Sequence, residues 1–306
     1  MARRGQHTHR MTREGRGSAP SSAVRTRVLA AILLVVGIAA IFYPYASDYL
    51  NRVQQAQVAQ TQDEAVAQQA PQDLSAAWQA AEDFNQRLLE GRVVVTDPFD
   101  PNNQQPSDRE YQSVLNLAGD GVMAELVIPK IDLDLPVYHG VDGDGMLHGV
   151  GHLPSTSLPI GGPSTHCVLA GHTGLPSARI FDDLDQLQPG DWFVIRVLGE
   201  DHAYRVTSTE VVLPTETDSL CVQEGKDLVT LVTCTPYGVN THRLLVHAER
   251  CDVPAEFYDR DDDRAVPLLP AHDQGAPIKI AALLGAGAGL GIVVAQIVRR
   301  RKRARS

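Results

Sequence analysis

A chain of 306 residues with 43% hydrophobic composition has room for one domain of ordinary size plus appendages, and it is too short for two large domains. The net charge of −10 hides an uneven spread: residues 1–27 and 299–306 each carry +6, so everything between them sums to −22. An acidic middle of that size offers no basic face for phosphates, and no nucleic-acid partner is expected.

The basic tail, 1–27, runs into residues 28–45, 18 positions without a charge. An apolar run of that length crosses a bilayer as a helix. Residues 280–298 repeat the pattern with Gln296 as the one polar side chain, and the second basic tail, 299–306, follows. By the positive-inside rule both tails are cytoplasmic and the acidic middle faces outward, which makes a two-pass protein of the cell membrane. A cleaved signal peptide is the competing reading of the first run, since basic residues precede it and Tyr45-Ala-Ser47 follows. The run is long for a signal core and no small-x-small site stands out, so an uncleaved anchor is preferred. Gly285, Gly287, Gly289 and Gly291 have no strand before them, so they do not form a phosphate loop. Gly285 and Gly289 make a small-xxx-small pair suited to helix association, although glycine is also simply common in membrane helices.

Residues 46–91 are rich in Ala, Gln and Leu and are divided by Pro71. Leu74, Ala77, Trp78, Ala81, Phe84 and Leu88 recur at helical spacing and Gly91 supplies a stop, predicting an amphipathic helix that rests on an apolar surface. The first half, 48–69, is more polar and reads as a helical stalk. Together they form an extracellular spacer. Residues 92–119 follow as a linker, and its stretch Asp97-Pro98-Phe99-Asp100-Pro101 is a proline-stiffened loop with no core of its own.

Residues 120–252 carry the β pattern. Candidate strands are 123–128, 135–138, 166–170, 192–197, 203–213, 229–235 and 243–250, set apart by Gly, Pro and Asp turns, as in an all-β barrel or sandwich. One short helix is expected over 178–187. The apolar run from Cys167 ends in Gly171-His172-Thr-Gly-Leu-Pro176, so the His172 side chain is expected at a strand terminus facing a cleft. With 11 histidines in the chain, a structural role is the plain alternative, and His139, His148, His152, His242 and His247 are open to it as well.

Residues 229–235 are β-branched and apolar, 236–240 is turn chemistry, and 243–248 resumes the strand. In a hairpin with its midpoint between Gly238 and Val239, Cys234 lies opposite Arg243, β-carbons about 4.5 to 5.5 Å apart. The thiolate is the reactive form of cysteine, and a thiol of pKa about 8.5 is little ionised at neutral pH, so an adjacent cation matters. The arginine fork can also hold the oxyanion of a tetrahedral intermediate. The bland reading of Cys234 is an inert, buried small hydrophobe. Among the other cysteines, Cys167 is an odd number of residues from His172 and is expected on the opposite face. An exported domain also admits a Cys221–Cys251 disulfide. The acidic run 259–263 lacks calcium-loop spacing and reads as a solvated linker.

His172 in Leu-Ala-Gly-His-Thr-Gly, Cys234 in Thr-Leu-Val-Thr-Cys and Arg243 nine residues on, in that order, resemble the sortases, the cysteine transpeptidases of Gram-positive surfaces. The resemblance covers roughly 90–252 and implies a mainly β fold. This is the eight-stranded sortase-type barrel, here at 120–252, with N-terminal helices and flanked by two transmembrane helices. A linker, 253–279, leads to the second span. Residues 149–162 and 235–243 look like the pilus-assembling class C in particular, and the C-terminal span points the same way. In that class an Asp-Pro-aromatic motif upstream of the barrel is a lid. The likeness implies that Asp97 pairs with the arginine or the thiol region, and that Phe99, after Pro98, covers the cysteine. An aspartate suits Arg243 and an aromatic ring suits an apolar groove.

The implied chemistry is acyl transfer, with no cofactor and no metal. Cys234 attacks the Thr carbonyl of a Leu-Pro-X-Thr-Gly-like (LPXTG-like) sorting signal, Arg243 stabilises the oxyanion, and His172 protonates the leaving amine and deprotonates the incoming one. The implied partners are pilin subunits bearing that signal and the acceptor lysine of a second pilin. The alternatives are a sortase that anchors surface proteins to peptidoglycan and a non-catalytic membrane scaffold, which predicts no thioester.

Overall fold

The computed structural model describes residues 22–91, 94–100 and 109–261. The predicted span 280–298, the tail 299–306, the linker beyond 261 and residues 1–21 of the first tail lie outside these. Two units divide the chain between Phe42 and Tyr43, and the second carries the whole barrel. Helix α1 (Ser22–Gln68) is continuous through that point and through Pro44. Among the described residues it is the one helix long and apolar enough to cross a membrane. In its first-unit part Leu29, Ile32, Leu33, Leu34 and Val36 are all exposed, as a membrane segment requires.

Residues 48–68 of α1, predicted as a helical stalk, are helical and lie against the barrel. Asn51 and Gln55 are buried, Asn51 donating to the Ser177 carbonyl and Gln55 to that of His148 at 2.7 Å. Asp48 accepts the Arg179 backbone N–H at 3.1 Å. Polar residues do this docking, which a search for apolar periodicity passes over. Helix α2 (Pro71–Glu90) begins where Pro71 supplies a preset φ and a missing N–H at no cost, and stops at Gly91. Its predicted apolar face is the docked one: Ala81 is fully buried, with Trp78 and Phe84 packed on the core. Asn85 fixes the helix in place, accepting the Leu158 N–H at 2.7 Å. A short helix α3 (Arg109–Ser113) then buries Tyr111.

Eight strands close the barrel: β1 (Val122–Ile128), β2 (Leu133–His139), β3 (Val150–His152), β4 (Thr165–Ala170), β5 (Trp192–Val197), β6 (Glu200–Val212), β7 (Asp227–Thr235) and β8 (His242–Cys251). Their order around it is β1-β2-β3-β4-β7-β8-β6-β5. Seven match the strands predicted from pattern, and β3 is the one that pattern did not show. The predicted helix over 178–187 is a loop with a single 3-10 turn, Leu184–Gln186. Ile180, Phe181, Leu184 and Leu187 are buried there, so helical spacing marked core contacts and not a helix. Closure leaves no open sheet edge and encloses one large core, to which alternate residues such as Leu169, Leu231 and Val246 contribute. His139 and His152 are structural: His139 sits between the Gly121 and Val114 carbonyls, and His152, pushed down to about 4 by burial, bonds Tyr111 and the Ser157 carbonyl.

After β8, helix α4 (Ala255–Asp261) returns to the barrel wall through Phe257. That ring is 2% exposed, edge-on to Trp192 at 6.2 Å and 5.6 Å from the Arg196 guanidinium. Phe257→Ala is expected to lower the unfolding free energy by about 3 kcal/mol, the usual cost of emptying a buried aromatic site. Urea denaturation reads the change, and an unaltered midpoint would mean that α4 does not hold this position in solution.

Candidate active site

Three neighbouring strands bring the three predicted residues to one end of the sheet. β7 and β8 are antiparallel with Cys234 directly opposite Arg243, the register expected from a hairpin centred at Gly238 and Val239. β4 runs parallel to β7 with Ala170 beside Val232. The match continues past the strand end, because Gly171 N–H donates to the Val232 carbonyl at 3.0 Å and Thr233 Oγ1 to the Gly171 carbonyl at 2.7 Å. His172 therefore stands level with Cys234. Gly171 is needed for this geometry: a β-carbon there would come within 2.6 Å of the Phe181 ring, whose backbone N–H donates to the His172 carbonyl at 2.9 Å.

Side chains alternate along each strand, so parity assigns faces. Cys167, Leu169, Val229, Leu231, Val246 and Ala248 point into the barrel. Val168, Ala170, Val232 and Leu245 form a second apolar cluster on the outer face, and Cys234 and Arg243 share that face by their even spacing. Cys167 lies in the core, as its odd offset from His172 implied.

The segment 94–100 lies over this outer site. Asp97 grips Arg243 through two parallel bonds, Nε to Oδ1 at 2.8 Å and Nη2 to Oδ2 at 2.6 Å, and both residues are buried. The two Nη1 donors of Arg243 go to the Asn240 and His242 carbonyls at 3.1 and 3.0 Å. Phe99 is wedged beside them, its ring centre 5.2 Å from the guanidinium carbon and 5.6 Å from the His172 ring. Of the two partners expected for Asp97, the arginine is the one engaged. Phe99 lies between Arg243 and His172, and Pro98 is buried with Asp97. Val95 and Phe99 also pack on the outer apolar cluster, so the segment fills the groove as well as the charge site. Residues 214–226, where the sequence reading placed no element and only the Cys221 disulfide option, form one side of this groove. Leu220 joins the apolar cluster and Thr217 Oγ1 donates to the Val95 carbonyl at 2.9 Å.

The electrostatics describe a resting site. Burial pushes the Cys234 thiol up, Arg243 pulls it down, and the Asp97 carboxylate pushes it up again. Burial pushes His172 down, so its imidazole is neutral at pH 7. Thiol and imidazole are both uncharged while the Nε and Nη2 edge of the arginine is taken by Asp97. All four cysteines are free, and the Cys221–Cys251 disulfide admitted by the sequence is not formed.

A sortase domain model matches residues 126–251. Among solved structures, sortase C-1 from Actinomyces oris is 48% identical over 59% of this chain and 99% of its own, with a TM-score of 0.55. Sortase C1 from Streptococcus agalactiae is 39% identical over 62% of this chain and 96% of its own, TM-score 0.56. Sortase A from Staphylococcus aureus is 30% identical over 47% of this chain and 71% of its own. A closed barrel with a cysteine opposite an arginine and level with a histidine is the arrangement of a cysteine transpeptidase. The chain belongs to the sortase family, and within it the likeness is to the sortase C-1 enzymes.

Proposed function

We propose that Cys234, His172 and Arg243 perform acyl transfer from an LPXTG-like sorting signal to a pilin lysine, polymerising pili on the outer surface. Once 94–100 has left, Arg243 is free and Cys234 passes its proton to His172. The sulfur attacks the Thr carbonyl, the C–S bond forms, and the Arg243 fork meets the oxyanion. As the Thr–Gly bond breaks, His172 returns the proton to the leaving amine. The lysine amine then attacks the thioester, the new C–N bond replaces the C–S bond, and His172 takes the proton released.

The observation that carries this reading is the Asp97–Arg243 pair with Phe99 packed beside it, a built-in cover over the reactive groups. An enzyme that joins copies of an abundant partner gains from being shut until a donor peptide displaces the cover, since a free thioacyl enzyme is otherwise open to water. The reading includes anchoring by α1 and by the span at 280–298, both tails cytoplasmic and the barrel outside, and an acidic surface suits a cationic acceptor.

The test is mass spectrometry of the full chain in detergent with a sorting-signal peptide and a lysine-bearing pilin peptide. A thioacyl adduct that maps to Cys234 and resolves onto the lysine is expected. Resolution only by a cell-wall amine transfers the protein to the peptidoglycan-anchoring reading, and no adduct with the lid residues mutated favours a scaffold.

A further inference from the structure

Below the site, on the same outer face, a chain of side-chain hydrogen bonds crosses four adjacent strands. None of the acyl-transfer steps uses it. Thr230 of β7 places its hydroxyl 2.7 Å from His166 Nε2 of β4 and 2.8 Å from His247 Nδ1 of β8. His247 Nε2 is 3.0 Å from Glu210 Oε1 of β6, and His166 Nδ1 is 3.0 Å from the Cys221 carbonyl. Parity relates the two levels, because 230 and 234, and 247 and 243, are even steps along one strand, and Thr230 is the register partner of His247. Between the levels lies the apolar floor of Val168, Val232 and Leu245.

The direction of the network can be read from its ends. The Cys221 carbonyl only accepts, so His166 carries its hydrogen on Nδ1. Burial pushes that ring down to about 4 and leaves it neutral, with Nε2 a bare acceptor. Thr230, fully buried, donates its one hydrogen to His166 and so receives its second bond from His247 Nδ1–H, while the Glu210 carboxylate, which only accepts, takes the His247 Nε2–H, so both ring nitrogens of His247 donate. The two histidines are therefore joined through one hydroxyl.

What the network holds is the 214–226 segment. His166 takes the Cys221 carbonyl, Glu210 takes the Ser219 hydroxyl, and Leu220 between them sits in the floor. Among the described residues the far end of the segment is also tied at the start of β4, where Gly225 N–H donates to Ser164 Oγ at 2.9 Å and Thr165 N–H to the Lys226 carbonyl at 3.1 Å, while the Thr217 bond to the Val95 carbonyl belongs to the lid and goes with it. Departure of Val95 and Phe99 uncovers an apolar strip leading to Cys234, which suits the Leu and Pro side chains of a donor peptide.

We propose that the His166–Thr230–His247–Glu210 network is a positioning device for the donor peptide: it fixes 214–226 as a rigid wall over the apolar floor and keeps that wall in place after the lid has opened. The proposal rests on the acyl-transfer reading, with Cys234 as nucleophile.

The test is donor-peptide kinetics on the full chain in detergent, in the Asp97→Ala background so that the lid does not compete. Thr230→Val, which keeps shape and removes the hydroxyl, is expected to raise KM about tenfold, equivalent to about 1.4 kcal/mol, with kcat within twofold. Thr230→Ser is expected to restore KM, and labelling of Cys234 by a small thiol reagent should stay within twofold in both. If Thr230→Val does not fold, the more exposed links Glu210→Gln and Ser219→Ala carry the test, each with a KM rise of about threefold. An unchanged KM in Thr230→Val, or an equal rise in Thr230→Ser, overturns the proposal. An adduct that maps away from Cys234 overturns the acyl-transfer reading itself, whatever KM does.

Discussion

Arg243→Lys is expected to lower the rate of thioacyl formation by about 10²–10³-fold, the usual loss when an oxyanion donor is removed, although the charge is kept. Lysine is a compact point charge on a flexible stem, whereas the guanidinium presents a planar fork. In the closed state that fork meets Asp97 with two parallel bonds of 2.8 and 2.6 Å. In the proposed mechanism the same two donors meet the developing oxyanion, so one side chain would serve the lid and the transition state in turn. Two readouts should therefore move in opposite directions. Weakening the bidentate pair loosens the lid, so labelling of Cys234 rises while turnover falls. A simple loss of structure would lower both, and Cys234→Ala gives the zero of the turnover scale. If Arg243→Lys retains turnover within threefold, the oxyanion role belongs elsewhere.

The pairing of Cys234 with Arg243 was legible because a hairpin is a local structure. Counting outward from a turn at Gly238 and Val239 suffices, and the register agrees. His172 was less so, since it reaches the site through a parallel pairing between β4 and β7 that joins residues some 60 positions apart; its place at a strand end made it a candidate and the family motif set it above the other histidines. Strand β3 was missed for a related reason: Val150-Gly151-His152 is too short to show alternation, and its place is set by partners on β2 and β4. The network through Thr230 is the extreme case. Its four members come from four strands, and no spacing along the chain distinguishes His166 or His247 from the other histidines.

Misreadings of the helical regions share a cause as well. Hydrophobic periodicity reports burial, and it serves as a guide to helix only where the backbone is free to form one. Over 178–187 it reported burial in a loop whose Phe181 must approach Gly171 closely. Over 48–69 it reported nothing, because α1 docks through Asn51 and Gln55 against backbone carbonyls. For the lid, composition indicated only a connector. Its role depends on Asp97 and Phe99 meeting residues more than 70 positions away, which the family likeness implied and the geometry displays.

Asp97→Ala is expected to raise the rate at which a small neutral thiol reagent labels Cys234 by tenfold or more at pH 7. Two effects add. Sterically, the bidentate pair is the strongest tie holding 94–100 in place, and without it the segment keeps the Phe99 packing on His172, Arg243 and the outer apolar cluster and the Thr217 bond to the Val95 carbonyl. Electrostatically, burial and the Asp97 carboxylate both push the thiol up while Arg243 pulls it down. Removing Asp97 takes away one upward push, hydrates the sulfur and leaves Arg243 as an uncompensated cation beside it, so all three changes favour the thiolate. The midpoint of labelling against pH should accordingly move to lower pH, because a group whose pKa falls ionises earlier as pH rises. Phe99→Ala separates the two effects. It uncovers the site but leaves the carboxylate paired, so labelling is expected to rise with a smaller movement of the midpoint. An Asp97→Ala protein that labels no faster than wild type would mean that 94–100 does not close the site in solution, and would leave the positions of His172, Cys234 and Arg243 untouched.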